Sequence, residues 1–335
     1  MLILGIETSC DECSASIVED GKTIHANIIA TQIKDHAPFM GVVPEIASRK
    51  HLELIKLIVN QAFTESAKTL DDIDLIAVTH CPGLIGSLFI GVSFAKGLSL
   101  AKKIPLLGVN HIEAHLYSGH LENDISFPYI GLLISGGNTL LTYVKSFSDY
   151  EILGSTIDDA CGEAFDKIAK FYQIGYPGGP AIEKISKSGD ANAFSFPHSR
   201  LKNKSQYDVS YSGLKTAVIN QLDIFKNKNE YSVNDIAASF QKTAIEILLE
   251  KVNLAVKNLD CHTVVVSGGV SANQYLRKRL ADQKNIKSTF PSLKLCTDNG
   301  AMIAAYAYQL SLLGKTSDLT LETYSRFLKV SNKGM

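Results

Sequence analysis

Short apolar, β-branched runs separated by polar turns recur along the chain and alternate with stretches of helical periodicity. The strand-like runs are Leu2–Ile6, Ala15–Val18, Thr23–Ile29, Leu75–Thr79, Leu106–Val109, Tyr129–Ile134, Leu140–Val144 and Thr263–Ser267. Their alternation with helices predicts an α/β architecture. The clearest helix runs from about Val233 to Lys257. Its apolar stripe is Val233, Ile236, Ala237, Phe240, Ala244, Ile247, Leu248 and Val252, and Ser232 with Asp235 forms a capping box. Two further helices, about Gly86–Ala101 and Asn299–Leu313, are rich in small residues and are expected to be buried.

One internal similarity organises these elements. Leu2–Ile6 is followed by a polar turn, Glu7-Thr8-Ser9-Cys10-Asp11, and a second strand. Ile130–Ile134 is followed by Ser135-Gly136-Gly137-Asn138-Thr139 and again a second strand. A third strand follows in each half, Thr23–Ile29 and Tyr150–Leu153. Later, Leu75–Thr79 leads to Cys81-Pro82-Gly83, and Val264–Val266 leads to Ser267-Gly268-Gly269-Val270. The pattern reads as a duplication with its halves meeting near residue 125. The expected lobes are 1–125 and 126–298, with a C-terminal helix at about 299–335 packing back on the first lobe. Two facing lobes would make a central cleft, where ligands commonly bind.

Composition narrows the class. The 335 residues carry 33 Lys+Arg against 34 Asp+Glu, a net charge of −1, and 45% are hydrophobic. A chain of that kind can build two ordinary cores. It is not a disordered chain, a coiled coil or a collagen-like repeat. The near-zero charge offers no electrostatic hint of nucleic acid. Glu7 interrupts the apolar start, which has no basic stretch of a signal peptide. The longest uncharged runs, Cys81–Ala95 and Phe127–Val144, are broken by Pro-Gly and Ser-Gly-Gly-Asn, so no membrane span is expected. Cys10, Cys13, Cys81, Cys161, Cys261 and Cys296 make no disulfide framework. The expected compartment is the cytoplasm.

Several motifs carry candidate chemistry. Ser135-Gly136-Gly137 and Ser267-Gly268-Gly269 each follow an apolar strand, and glycine lets backbone N–H groups approach phosphate oxygens. A single such turn is most simply a tight corner; the matched pair favours a ligand. Gly21-Lys22-Thr23 and Gly314-Lys315-Thr316 are not phosphate loops, because Ser16 and Gln309 stand where the first glycine must be. In Asn110-His111-Ile112-Glu113-Ala114-His115 the two histidines are four residues apart, on one helix face, as a metal pair requires. Glu113 lies on another face, so zinc-protease chemistry is disfavoured; with Asn110 it makes a capping-box-like pair. Asp298 could be the third ligand of an open divalent-metal site, or equally the N-cap of the helix that follows. His120 lies off the face of the pair. A lone CxxC, Cys10 to Cys13, supports no redox or zinc role, and leaves Asp11 and Glu12 as the chemically interesting residues of the first turn. Asp166 lies early in a helix, and Pro177-Gly178-Gly179-Pro180 is a rigid loop open to close approach. Lys202, Lys204, Lys226 and Lys228 read as solvated faces.

Taken together these segments resemble the bacterial tRNA threonylcarbamoyladenosine transferase family, once described as O-sialoglycoprotein endopeptidases. The resemblance runs nearly end to end. It rests on Gly5-Ile6-Glu7-Thr8-Ser9-Cys10-Asp11-Glu12, Gly41 to Arg49, Pro82 to Leu88 and Asn110 to His115. It continues through Asp159 to Lys167, Tyr176 to Pro180, Ser212 to Thr216 and Ser267 to Asn273. The resemblance implies a duplicated actin/Hsp70-like fold and a metal, usually iron with zinc an alternative, on His111, His115 and Asp298. It implies substrate binding by Ile134, Ser135, Gly136, Gly137, Asn138, Asp166, Gly179 and Asn273. Three positions depart from the family pattern: Asn138 replaces a histidine, Cys81 a glycine and Cys13 a threonine.

The implied reaction moves a threonylcarbamoyl group from L-threonylcarbamoyl-adenylate to N6 of adenosine 37 in tRNAs reading codons that begin with A, releasing AMP. Asp11 or Glu12 would help accept the amine's proton. The implied partners are tRNA, a smaller paralogous subunit of the same fold and an ATPase. A kinase or ATPase of the same fold is the nearest rival, but the Asp-x-Gly turn that serves Mg-ATP is absent where Glu7-Thr8-Ser9 stands. A non-catalytic scaffold would be expected to lose the histidine pair and Asp298. With so little net charge, the isolated chain is expected to bind tRNA weakly and in a salt-sensitive way.

Overall fold

The computed structural model describes residues 1–198, 205–221 and 231–326. The four lysines at 202, 204, 226 and 228 lie outside the described residues. The chain divides into two units: Met1–Glu122 with the chain from Asp298 onward, and Asn123–Thr297.

The first unit holds β1 (Leu2–Glu7), β2 (Glu12–Glu19), β3 (Thr23–Thr31), β4 (Leu75–Cys81) and β5 (Leu106–Asn110), in the sheet order β3-β2-β1-β4-β5. β1 runs antiparallel to β2, with Leu4 opposite Ile17, and parallel to β4, with Gly5 opposite Ala77. Every residue of β1 is buried, which is why it reads as an unbroken apolar run rather than an alternating one. Four helices belong to this part of the chain: α1 (Ile33–His36), α2 (Pro44–Ser66), α3 (Ile85–Lys102) and α4 (His111–Tyr117). Leu4, Ile6, Ile17, Ile55, Val59, Ile76, Val78 and Val92 form the core.

The second unit repeats the plan. β6 (Tyr129–Ile134), β7 (Thr139–Ser146), β8 (Asp149–Ser155), β9 (Thr263–Ser267) and β10 (Lys287–Thr289) lie in the order β10-β9-β6-β7-β8. β6 is antiparallel to β7 and parallel to β9, as β1 is to β2 and β4. Its helices are α5 (Cys161–Phe171), α6 (Gly178–Ser186), α7 (Ser212–Ile219), α8 (Val233–Leu259) and α9 (Gln274–Ala281). The duplication is therefore one of strand order and direction. At the start of α8, Asp235 N–H donates to Ser232 Oγ at 3.3 Å and Ser232 N–H to the Asp235 carboxylate at 2.7 Å. Phe165 and Phe240, ring centroids 4.9 Å apart, bring α5 and α8 together in the core.

Three expectations need correction. The C-terminal helix α10 (Gly300–Leu312) stops at Leu312 rather than running to 335. Gly314, at φ 71°, breaks it, and Ser317 N–H then donates to the Leu106 carbonyl on β5. α10 packs on β1 and β2 through its small residues. α3 is buried on one face only: Ser87, Leu88, Gly91, Val92 and Ala95 are covered, while Ile85 and Phe89 are 53% and 62% exposed. It is also the one helix among the described residues long and apolar enough to cross a membrane, 18 residues at mean hydropathy 1.2, because it continues past Ala95 to Lys102. Finally, β10 and α2 were absent from the apolar pattern. β10 is a three-residue edge strand, and α2 buries only Ala47, His51, Ile55, Ile58, Val59 and Ala62 among polar neighbours.

A charged staple joins the helices of the second unit. The Asp159 carboxylate accepts from Lys167 Nζ at 2.6 Å and from Lys215 Nζ at 2.5 Å, tying α5 to α7. Burial raises the Asp159 pKa, but these hydrogen bonds outweigh it and hold the carboxyl below its ordinary value. A depressed carboxyl stabilises the fold above its unfolded pKa, and that contribution is lost as pH falls through the folded value. Asp159→Asn should cost about 1–3 kcal/mol at pH 7 and less at pH 3, read by urea denaturation at both pH values. An equal loss at both would show that the charge plays no part.

Candidate functional site

The first unit gathers its titratable groups where β1 and β5 end. Asn110 closes β5 and caps α4, its Oδ1 accepting from the N–H of Ile112 at 2.9 Å and of Glu113 at 3.3 Å. The cap starts the helix at His111 and sets His115 one turn later on the same face. The two rings are 4.6 Å apart and nearly perpendicular. The cap of α10 falls to Asn299, which accepts from Met302 N–H at 3.0 Å, so the alternative role of Asp298 as N-cap is not realised. Asp298 turns instead to the histidines, with Oδ1 2.9 Å from His115 Nε2 and 3.6 Å from His111 Nε2. One donor atom from each of His111, His115 and Asp298 lies within 4.8 Å of the others, a group able to hold a metal ion. Glu113 accepts from the Tyr306 hydroxyl at 2.8 Å, and His120 stacks on Tyr117.

Burial and charge compete at each group. Burial lowers the His111 pKa, but the Asp298 and Glu7 carboxylates beside it win and lift it to about 9. Burial raises that of Asp298, yet the His111 charge and the His115 hydrogen bond hold it at about 2. His115 is lowered, first by burial and then by the charge on His111. Glu12, the first residue of β2 rather than part of the turn, is pushed well above the carboxylate range by burial and by Asp11 and Asp298. A shift in that direction favours the protonated form, which makes Glu12 a poorer proton acceptor than an ordinary carboxylate. Cys10 and Cys13 are free thiols, and burial pushes both up.

Two residues of this site escaped the sequence reading. Glu7, taken as part of the turn, is the buried last residue of β1 and touches His111. Its only signal was a carboxylate closing an otherwise apolar strand. His51 on α2 donates from Nε2 to the Cys10 carbonyl at 2.9 Å, holding the same turn from below.

The second unit brings the glycine turns together at the ends of β6 and β9. Beyond Ile134 the chain reverses through Ser135-Gly136-Gly137-Asn138. Ser135 N–H donates to the Asn138 carbonyl at 2.8 Å, and Asn138 N–H to Ser135 Oγ at 3.1 Å. A Cβ on Gly136 or Gly137 would meet nothing within 4 Å, so both backbones are open to a ligand. Gly162 N–H, opening α5, donates to the Ser135 carbonyl at 3.2 Å. One turn later the Asp166 carboxylate accepts from Gly178 N–H at 2.6 Å, joining α5 to the first turn of α6, since Gly178-Gly179-Pro180 begins that helix rather than forming the expected rigid loop, and Gly179 is as open as Gly136. Gly268 sits against the Ile134 carbonyl at φ 85°, a close approach that a side chain would block. Asn273 caps α9, accepting from Leu276 N–H at 3.0 Å and donating to Gln241 Oε1 at 2.8 Å. Ser267 Oγ and Ser271 Oγ are buried with no hydrogen-bond partner among the described residues, a polar feature of this loop that attention to its glycines overlooked.

Comparison with known proteins places the chain in a family. The family described as TsaD, tRNA N6-adenosine threonylcarbamoyltransferase, matches residues 23–305. A curated relative of that name from Treponema denticola is 53% identical over 336 residues, covering 100% of this chain and 99% of its own length. One from Borreliella burgdorferi is 49% identical, covering 99% of this chain and 96% of its own. Among solved structures, HypF of T. kodakarensis superposes with a TM-score of 0.63 at 16% identity, over 96% of this chain and 48% of that one. Component A of the Acidaminococcus fermentans (R)-2-hydroxyglutaryl-CoA dehydratase gives 0.55 at 15% identity, over 93% and 99%. At such identities the structures establish the fold alone, the duplicated actin/Hsp70-like α/β plan expected from the sequence. With its match to the family across most of its length and relatives half identical to it from end to end, the chain belongs to the tRNA N6-adenosine threonylcarbamoyltransferases, enzymes of tRNA modification.

Proposed function

We propose that the threonylcarbamoyl group comes from L-threonylcarbamoyl-adenylate and goes to N6 of adenosine 37 in tRNAs reading codons that begin with A. The adenosine amine attacks the carbamoyl carbon, a C–N bond forms, the C–O bond to phosphate breaks, and AMP leaves while the amine loses a proton. His111, His115 and Asp298 hold a divalent ion, iron(II) in the first instance and zinc as the alternative, and their convergence within 4.8 Å is the observation that carries this assignment. Bound there, such an ion supplies Lewis-acid stabilisation of negative charge.

The chain's own groups do the rest. The open Gly136 and Gly137 backbones, with Ile134, Ser135 and Asn138 fixing the turn, donate N–H groups to phosphate or carbamoyl oxygen. Asp166, already holding Gly178, accepts from substrate hydroxyls beside Gly179, and Asn273 fixes the second loop. Asp11 is assigned as the proton acceptor, because burial and the neighbouring carboxylates favour the protonated form of Glu12.

The proposed partners are tRNA, a smaller paralogous subunit and an ATPase, in the cytoplasm. The exposed apolar row of α3, Ile85 and Phe89, supports a protein partner, since a lone chain gains nothing by displaying it. The test supplies unmodified tRNA and the adenylate to the purified chain with its partners. Equal amounts of AMP and threonylcarbamoylated adenosine are expected. Modified adenosine without AMP, or AMP released with no modified adenosine, would contradict the reading.

A further inference from the structure

We infer that Glu7 is the residue that positions His111 for metal binding, by keeping its proton on Nδ1 and leaving Nε2 turned toward Asp298 and His115. The inference rests on the proposed metal site. Glu7 is fully buried, and the described contacts fill both oxygens. Oε1 accepts from Ser9 N–H at 2.5 Å. Oε2 accepts from the Thr79 hydroxyl at 2.6 Å and from His111 Nδ1 at 3.0 Å. Ser9 Oγ lies 3.2 Å from the same Nδ1 and is a weaker, neutral alternative. Glu7 is 0% exposed at the end of a strand whose hydrogen bonds set its backbone, so its carboxylate is a rigid acceptor.

His115 differs. Among the described residues its Nδ1 is buried without a partner, and Asp298 and packing orient that ring. A carboxylate behind one imidazole and nothing behind the other makes His111 the anchored ligand. Buried metal-binding histidines generally need such an acceptor, and losing it weakens binding about 10- to 100-fold.

Glu7→Gln separates this role from simple packing. Ser9 N–H can only donate, so a Gln amide NH2 at the Oε1 position would meet a second donor. At the Oε2 position the NH2 would face Thr79, whose hydroxyl can turn to accept, and His111 Nδ1, which would have to give up its proton. That orientation moves the proton to Nε2, the atom that must be bare to bind metal.

The experiment uses chelator-stripped full chain and Zn2+ alone. Zinc affinity is measured by competition with a chromophoric chelator for the wild type, E7Q and H115A, and melting temperatures are taken without metal. The 15N shifts of the histidines are read in the zinc-loaded wild type. Tight zinc binding by the wild type, a 10- to 100-fold loss in E7Q without metal-free unfolding, and a protonated Nδ1 on His111 are expected. Equal affinities for wild type and E7Q would overturn the role of Glu7 while leaving the metal site intact. So would a wild-type spectrum in which His111 binds zinc through Nδ1, and that readout decides the matter even if E7Q fails to fold. Zinc binding no tighter in the wild type than in H115A would instead overturn the metal site, and this inference with it.

Discussion

Alanine at His115 is expected to reduce threonylcarbamoyl transfer by about a thousandfold or more, roughly 4 kcal/mol of lost transition-state stabilisation, while leaving the chain folded. The two halves of that expectation have separate causes. Activity falls because one of three converging donors is gone and Asp298 Oδ1 loses its partner at 2.9 Å. Stability is largely kept because His115 is held neutral by burial and by the neighbouring His111 charge, and its Nδ1 has no hydrogen bond among the described residues to lose. Removing it leaves a cavity and takes one hydrogen bond from Asp298, which keeps the His111 cation 3.6 Å away, so the net cost should be about 2–3 kcal/mol. His111→Ala is the instructive contrast. It strands the buried Glu7 carboxylate without its cation, at a cost of about 3–5 kcal/mol. Transfer rates and urea midpoints measured together should therefore show H115A inactive and folded, and H111A inactive and much less stable. Equal stabilities for the two variants would refute the proposed pairing of Glu7 with His111.

The second large effect concerns Gly300, where α10 meets β1. A Cβ there would lie 2.6 Å from the Gly5 carbonyl oxygen and 2.8 Å from the Ser16 backbone nitrogen. Reciprocally, a Cβ on Gly5 would collide with the Gly300 carbonyl and sit 2.8 Å from the Ala304 nitrogen. Both obstacles are backbone, so no rotamer change relieves them. Gly300→Ala is expected to destabilise the chain by more than about 3 kcal/mol, the range of severe overpacking. It should also abolish transfer, because β1 ends at Glu7 and α10 begins two residues after Asp298. Gly136→Ala is the control, since a Cβ there meets nothing and stability should not move. Urea denaturation of the two variants beside the wild type decides it; equal midpoints for G300A and wild type would refute the close approach.

What could be read from the sequence, and what could not, follows from local and non-local causes. The duplication was legible because each half repeats an apolar strand, a polar turn and a second strand. The Ser232 and Asp235 capping box was legible because it is written in four consecutive residues. The histidine pair was legible from helical spacing alone. β10 was not, because Lys287-Ser288-Thr289 is polar and becomes a strand only by pairing with β9. The exposed face of α3 was not, because apolar composition does not tell which side the sheet covers. Asp298 and Asn299 are both good caps, and only the fold assigns the cap to one and leaves the other to the histidines. Glu7, Asp11 and Glu12 looked like three carboxylates of one turn; β1 claims the first and β2 the last, and their surroundings push Glu7 down and Glu12 up.

The most direct measurement is a metal titration of transfer activity. Chelator-stripped chain, with its partners, tRNA and adenylate at saturation, is supplied with increasing iron(II), and in parallel with zinc. Transfer is expected to rise from near zero to a plateau at one ion per chain, and the H111A/H115A double variant is expected to stay at the baseline throughout. Full transfer by the stripped double variant would contradict a metal-centred role for His111, His115 and Asp298.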